Sequence, residues 1–370
     1  MTPSEIPLHA PGRQAQADRP AIMAALADVV DGGRYLHGPQ AAAFETEFAH
    51  YLGAKHCVAV GNGTDALEFA LRAVGFGPGD RIATVANAGH YGTAAILAVG
   101  ALPVYVDISP DTWQMDPAAL AQTLRQGLDG VLLTHLYGDA REAPRIARLC
   151  AAAGVPMVED CAQAAGAVID GVAAGRFGAA AAFSFYPTKN LAAIGDAGAV
   201  VSDTAHVMER VRQLAEHGWS RRFVVTTVGR NSRMDEVQAA VLRLRLPHLD
   251  RENVTRRAIR ARYAAALRGT RLRLLGGAAD ESHAAHLAVV SSPDVASSRE
   301  RLAAAGIASD VHYPVADHRQ PLHARADRPV LPVTDSVAGT FFTVPSHPWL
   351  TDDEVSRVAE ALRREAAHVG

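Results

Sequence analysis

A mostly parallel α/β sheet unit followed by a smaller α+β unit is the fold class the sequence predicts, and three observations predict it. Short apolar segments alternate with helical stretches across residues 56–202. Those segments are apolar almost throughout rather than every second residue, as strands covered on both faces are. Beyond Met234 the pattern changes to long Arg-rich helices and then to short, Pro-punctuated elements. A chain of 370 residues, 49% of them hydrophobic, is long enough for two cores.

Taken in order, residues 1–20 read as an irregular arm. Pro39 to Leu52 carries apolar residues at helical spacing (Ala43, Phe44, Phe48, Tyr51, Leu52) and stops at Gly53. Seven strands follow at His56–Val60, Arg81–Val85, Leu102–Val106, Gly130–His135, Pro156–Glu159, Ala181–Phe185 and Gly198–Ser202. Helices are expected between them near 65–74, 93–99 and 141–153. From Met234 to about Leu267 the pattern is one or two long helices, broken at Pro247. A strand at His286–Ser291 and helices near 297–305 and 352–367 make up the second unit. The division is expected at 1–245 and 246–370.

Composition removes several function classes. A net charge of −3 leaves no basic footprint for nucleic acid or an anionic membrane. The longest apolar run, Ala94 to Val106, is too short to span a bilayer. No basic-then-apolar leader opens the chain, and Cys57, Cys150 and Cys161 lack metal spacing, so a reduced, cytoplasmic protein without disulfides or a metal site is expected. Of 36 basic residues only Lys55 and Lys189 are lysines. Arginine cannot do amine chemistry at neutral pH, so a lysine kept in such a chain draws attention.

Four segments carry chemistry. Val60-Gly-Asn-Gly-Thr-Asp-Ala-Leu67 joins a strand to a helix. It suits a phosphate cradle as well as a plain tight turn, with Thr64 offering a hydroxyl and an N-cap. Val158-Glu-Asp-Cys-Ala-Gln163 puts Asp160 at the carboxyl end of a buried strand, where ligands of open α/β sheets bind. There it can face a cation such as a pyridinium nitrogen, or simply cap the next helix. Ser184-Phe-Tyr-Pro-Thr-Lys-Asn190 holds Lys189 in a turn, where a desolvated amine can form a Schiff base; Lys55 reads as a surface residue. Asn231-Ser-Arg-Met-Asp235 opens the long helix and is either a phosphate contact or a cap.

In this order the motifs resemble the DegT/StrS family of sugar aminotransferases. The likeness runs through GNGTDAL at 61–67, PVYVDI at 103–108, HLYG at 135–138, EDCAQAAG at 159–166 and FGAAAAFSFYPTKN at 177–190. It continues with GDAGAVV at 195–201, NSRMDEVQAAVLRLRLPHLD at 231–250 and HYP at 312–314. The resemblance implies a fold type I scaffold with a seven-stranded sheet and the cofactor pyridoxal 5′-phosphate (PLP). It implies that Lys189 binds the cofactor covalently and that Asp160 pairs with its ring nitrogen. Gln163 would lie near the ring's 3′-oxygen, and Gly63, Thr64 and Ser184 would hold the phosphate. Asn231 would reach that phosphate from a second subunit, making the protein a homodimer, and His312 and Tyr313 would border the substrate. The sequence departs from the family where an aromatic usually stacks on the cofactor. There Ala86-Asn-Ala-Gly-His-Tyr91 leaves His90 or Tyr91, with Tyr91 preferred. Ala197 replaces a glycine of the usual GDGG, and Thr188 stands where glycine is frequent; both are small, and little consequence is expected.

The implied activity is amino transfer from L-glutamate to a keto group of a nucleotide-linked, dTDP-type deoxysugar. Alternatives are a keto-cyclitol substrate with L-glutamine as donor, and a non-catalytic regulator on the same fold. Lys189 argues against the regulator and against the family's dehydrase branch, in which histidine replaces that lysine.

Overall fold

The computed structural model describes residues 5–323 and 329–368. Seven strands form its main sheet: β1 His56–Val60, β2 Arg81–Thr84, β3 Leu102–Tyr105, β4 Gly130–Thr134, β5 Met157–Asp160, β6 Ala180–Ser184 and β7 Gly198–Ser202. Their spatial order is β1-β7-β6-β5-β4-β2-β3. Strand β7 runs against both neighbours and the rest pair in parallel, so six strands point the same way. Their carboxyl ends (Val60, Thr84, Tyr105, Thr134, Asp160, Ser184) therefore share one edge of the sheet, the edge at which such folds bind ligands.

Helices cover both faces. They are α1 Pro11–Ala17, α2 Arg19–Gly32, α3 Pro39–Leu52, α4 Gly63–Val74, α5 Tyr91–Ala98, α6 Pro117–Leu124, α7 Ala143–Ala153, α8 Ala205–Ala215 and α9 Glu236–Arg245. On one face Phe44 and Phe48 of α3 and Leu242 of α9 pack over Phe183 and Val201. On the other, Leu67 and Leu71 of α4, Ile96 of α5 and Val211 of α8 pack over Val58, Val158 and Ala182. A strand touched by apolar helices on both sides must itself be apolar at every position, which is why these strands were legible as continuous runs.

The expected long helical stretch is α9, a 3-10 turn at Leu246–His248 containing Pro247, and α10 Leu249–Ala266. Beyond it lie α11 Val295–Ala304, α12 Pro332–Val337 and α13 Asp352–His368. These accompany a three-stranded antiparallel sheet of β8 Arg273–Leu274, β9 Ala288–Ser291 and β10 Phe341–Val344. Its core joins Ile259 and Tyr263 of α10 to Phe342, Val358 and Leu362. Leu246 and Leu249 still pack in the first core.

The arm differs from the irregular segment expected. Residues 1–4 lie outside the described residues, but α1 and the start of α2 occupy most of the rest. Helix α1 has seven residues and buries only Gln14, so no apolar periodicity announces it. Before it, Ile6 pairs with Ile307 and is wholly buried in the second core.

Candidate active site

Three strand ends lie in register at the centre of the sheet, Thr134 opposite Asp160 and Asp160 opposite Ala182. Asp160 is buried. Its Oδ1 accepts the Ala162 N–H at 3.1 Å, and its Oδ2 has only the Thr134 hydroxyl at 3.4 Å. Burial pushes its carboxyl up, and the Ala162 N–H and the Lys189 charge pull it back. Residues 162–166 form turns, so Asp160 caps no helix. A buried carboxylate with so few donors calls for a further cationic or N–H partner.

Lys189 is set by a turn in which its N–H donates to the Tyr186 carbonyl at 2.8 Å. Burial pushes its amine down to about 8, opposed by Asp160. An amine of that kind is a nucleophile and a proton carrier near neutral pH. The next residue, Asn190, is anchored on both sides. Its Nδ2 donates to Asn253 Oδ1 and to the Ala284 carbonyl, each at 2.7 Å, and its Oδ1 lies 2.9 Å from His286 Nδ1. Neither Asn253 nor His286 stood out in the sequence; only the pairing partner of a residue beside Lys189 could have pointed to them.

Gln163 accepts the Tyr137 N–H at 2.6 Å and donates to the Tyr313 hydroxyl at 3.2 Å, while the Tyr137 hydroxyl donates to the His312 carbonyl at 2.6 Å. The EDCAQ, HLYG and HYP motifs thus meet around Gln163. His312 also places Nδ1 3.0 Å from the Thr343 hydroxyl. Tyr313 packs so closely on Gly89 that a Cβ there would lie 2.8 Å from its ring.

At the neighbouring edge of the site Asn62, not Thr64, caps α4, accepting the Asp65 N–H at 2.8 Å. This corrects the expected capping role of Thr64, which is exposed in the first turn with its hydroxyl outside the cap. A Cβ on Gly63 would lie 2.5 Å from Ser184 Cβ, and one on Gly198 would lie 2.4 Å from the Asn62 carbonyl oxygen. Glycine at both places lets the helix N-terminus, with its free N–H groups and positive dipole end, sit against Ser184. Ala197 is buried in the first core without a positive φ, so the lost glycine costs the turn no strain.

Asn231 is exposed and lines a cavity of about 240 Å³ with Gly61, Asn62, Asp65 and Arg233, which Ser184 and Lys189 do not line. Tyr91 is exposed and meets Tyr313 edge-on at 5.9 Å. His90 is turned elsewhere. Its Nε2 lies 3.1 Å from His323 Nε2 and its N–H donates to Asp317, whose carboxyl burial pushes up to about 6. His135, Glu159 and Cys161 cluster tightly enough to suggest a metal. Glu159, however, already accepts from Gly175, Phe177 and Gly178 N–H groups and lies 2.8 Å from His135 Nε2, which fills its lone pairs. The roomier cavities, of about 590 and 650 Å³, lie in the second unit and along its seam, away from Lys189.

These residues fit PLP. The glycine-lined helix end against Ser184 suits a phosphate, the under-supplied Asp160 Oδ2 suits a ring N–H, and the Lys189 amine suits an aldehyde.

The sequence profile of the DegT/DnrJ/EryC1/StrS aminotransferase family matches residues 16–363. A Streptomyces venezuelae protein named dTDP-3-amino-3,4,6-trideoxy-alpha-D-glucose transaminase is 39% identical over 349 residues, 94% of this chain and 92% of the relative. The crystal structure of S. venezuelae DesV in complex with a ketimine intermediate superposes with a TM-score of 0.95 at 38% identity, covering 99% of this chain and 100% of that one. NtdA from Bacillus subtilis, with the cofactor PMP bound, gives 0.90 at 28% identity, covering 98% and 86%.

Proposed function

The chain belongs to the DegT/DnrJ/EryC1/StrS aminotransferase family, and from that premise we propose that it transfers the amino group of L-glutamate to a keto group of a dTDP-linked deoxysugar. Amino transfer and PLP dependence are properties of the family. The donor and the sugar are our reading, and the sugar is supported by the name of the S. venezuelae relative, a dTDP-3-amino-3,4,6-trideoxy-alpha-D-glucose transaminase. The single observation that carries the reading is the pair of Asp160, buried at the end of β5, and Lys189, desolvated in the turn after β6, each acted on by the other's charge.

When bound, PLP supplies an aldehyde that accepts the amino group and a ring that draws electrons from the carbon losing its proton. The chain's residues do the rest. Lys189 Nζ holds the cofactor between turnovers and, once released, carries the proton from the substrate carbon to its new position. Asp160 Oδ2 keeps the ring nitrogen protonated. Gln163, held by Tyr137 and Tyr313, orients the ring edge. Gly63, Thr64 and Ser184 take the phosphate. Tyr91 rather than His90 is the aromatic for the ring face, since His90 is engaged with Asp317 and His323.

We further propose a homodimer in which Asn231 serves the partner's phosphate, because a buried dianion needs more donors than one helix end and two hydroxyls supply. Among the described residues no helix is long and apolar enough to cross a membrane. The three cysteines are free and buried, in keeping with a cytoplasmic setting.

The test is an assay of the purified protein with L-glutamate and a dTDP-3-keto-6-deoxyhexose, following 2-oxoglutarate and the dTDP-amino sugar. The expected result is stoichiometric formation of both. Activity only with a keto-cyclitol and L-glutamine would replace the sugar reading, and absence of any amino exchange would favour a regulator.

A further inference from the structure

Helix α5 starts without a cap of its own. Its N-cap residue, His90, sits at φ 71° and offers the helix no side-chain bond. Helices α4 and α6 are capped locally, by Asn62 on the Asp65 N–H and by Asp116 on the Ala118 N–H. For α5 the acceptor comes from 227 residues away. Asp317 opens a 3-10 turn at Asp317–Arg319 and is 1% exposed. Its Oδ1 accepts the His90 N–H at 2.9 Å, its Oδ2 accepts the Thr93 hydroxyl, and its own N–H donates to the Ala86 carbonyl at 2.6 Å. One residue thus holds both ends of the loop 86–93. A carboxylate suits that place, because the start of a helix presents N–H groups and the positive end of its dipole.

The loop that Asp317 holds touches the site at three points. Gly89 lies against the ring of Tyr313, whose hydroxyl accepts from Gln163. Tyr91 meets that ring edge-on. A Cβ on Gly92 would lie 3.1 Å from Leu132 Cδ2 and 3.8 Å from the Thr134 hydroxyl, the same hydroxyl that reaches Asp160 Oδ2. The first turn of α5 therefore rests on the strand end beside Asp160. The segment that brings Asp317 is itself braced. Its His312 carbonyl accepts from Tyr137, and the His312 ring stands edge-on to His9 at 6.4 Å. Beyond Asp317, the Asp335 carboxylate pairs with His318 and Arg319. Removing the Asp317 carboxylate would take the acceptor from the His90 N–H and from the buried Thr93 hydroxyl while those braces stayed in place.

We propose that Asp317 is a positioning residue for amino transfer: by capping α5 from outside the helix, it sets Gly89, Tyr91 and Gly92 against Tyr313 and Thr134 and so fixes the aromatic face offered to the cofactor. The proposal rests on the aminotransferase reading and deepens it. Asp317 touches none of the reacting groups. It acts through the loop, and catalysis is sensitive to such placement because a shift of about 1 Å can cost roughly a hundredfold in rate. A carboxylate that merely stabilised the fold would change melting alone. Asp335 provides that comparison, since it braces the same segment through His318 and Arg319 rather than through loop 86–93.

The holoenzymes of the wild type, Asp317→Ala, Asp317→Asn, Thr93→Val and Asp335→Asn are compared by visible circular dichroism per bound cofactor, by kcat and KM for L-glutamate, and by melting temperature. Asp317→Ala is expected to lower the dichroism and to cut kcat about tenfold, with KM changed less than about twofold, the pattern of lost alignment rather than lost binding. Asp317→Asn should fall between, because its amide oxygen still accepts the His90 N–H. Thr93→Val should move both readouts in the same direction by less. Asp335→Asn should melt lower and keep wild-type dichroism and kcat. Wild-type dichroism and kcat in Asp317→Ala, or equal losses in Asp335→Asn, would overturn the proposal. If the Asp317 variants do not fold, Thr93→Val decides, and wild-type readouts there sink it. A wild type that takes up no PLP and moves no amino group would count against the aminotransferase reading instead. Amide hydrogen exchange of the cofactor-free protein then decides the clamp: Asp317→Ala should speed exchange across 86–93 about tenfold or more and leave 157–161 at the wild-type rate. Equal rates across 86–93 in the two proteins would end it.

Discussion

Two regions of the molecule are built in opposite ways. The floor, where β4, β5 and β6 end, is buried, and its polar side chains are hydrogen-bonded within the chain: Asp160 by Ala162, Gln163 by Tyr137, Asn190 by Asn253. The rim formed by residues 219–231 is a short hairpin of Trp219–Arg221 and Val224–Val225 with apolar side chains in the open, Phe223 at 71% and Val228 at 80% exposure. Tyr91 and Tyr186 are exposed as well. Such a cluster marks a surface suited to being covered, since scattered single exposed apolar residues need no such explanation but a cluster does. The contrast fits the homodimer proposed above, in which one chain would supply the reacting groups and a second copy would cover the apolar rim.

Three experiments would break or sharpen that contrast. The largest effect belongs to the floor: Lys189→Ala should lower amino transfer by several orders of magnitude, since general acid–base catalysis alone is worth about 10²–10⁴-fold. Lys55→Ala should leave it unchanged. Borohydride reduction and peptide mapping of the holoenzyme should put the pyridoxyl group on Lys189; finding it on Lys55 would overturn the site.

Asp160→Asn comes next. Turnover should drop roughly a hundredfold, about 2.7 kcal/mol at 1.36 kcal/mol per decade, with the cofactor retained by its phosphate contacts. The same variant makes a signed pH prediction. In the cofactor-free protein the Lys189 amine loses its proton near pH 8, so its acylation should rise through about that pH. Asp160 is the charge that holds this value up, so its removal should move the midpoint lower. A midpoint that stays put would show the two groups to be uncoupled.

The smallest effect tests the rim. Alanine at Asn231 should weaken cofactor retention modestly, roughly tenfold, as the loss of one hydrogen bond to a charged group does. Mixed with Lys189→Ala, it should give heterodimers in which one site carries both lesions and the other neither, so part of the activity returns. No recovery after verified subunit exchange would mean that Asn231 serves its own chain.

The contrast also governs what the sequence made legible. Strands β1–β7 were readable because burial on both faces leaves apolar runs, and α3 because Pro39 and Gly53 punctuate its ends. Lys189 stood out through the scarcity of lysine. The buried Arg256 and Arg260 did not, because α10 contains Arg251, Arg256, Arg257, Arg260 and Arg262, and charge pattern alone cannot say which of the five turn inward. His9 was hidden for a related reason: a residue before a seven-residue helix has no periodicity to place it, and its position depends on Ile6 pairing with a strand segment 301 residues away. The hairpin at 219–225 lies on a surface with no core of its own to impose alternation.

That pairing of Ile6 with Ile307 also orders events during synthesis. A growing chain can assemble the seven-stranded sheet once residue 202 has emerged, but the arm has nothing to dock on until residues 306–308 have been made. The ribosome delivers about 5–20 residues per second. At that pace Ile6 and its apolar neighbours wait in solvent for roughly 15–60 s, exposed to chaperones and proteases. The segment that carries His9 therefore docks only after the strand ends with Asp160 and Ser184 are in place.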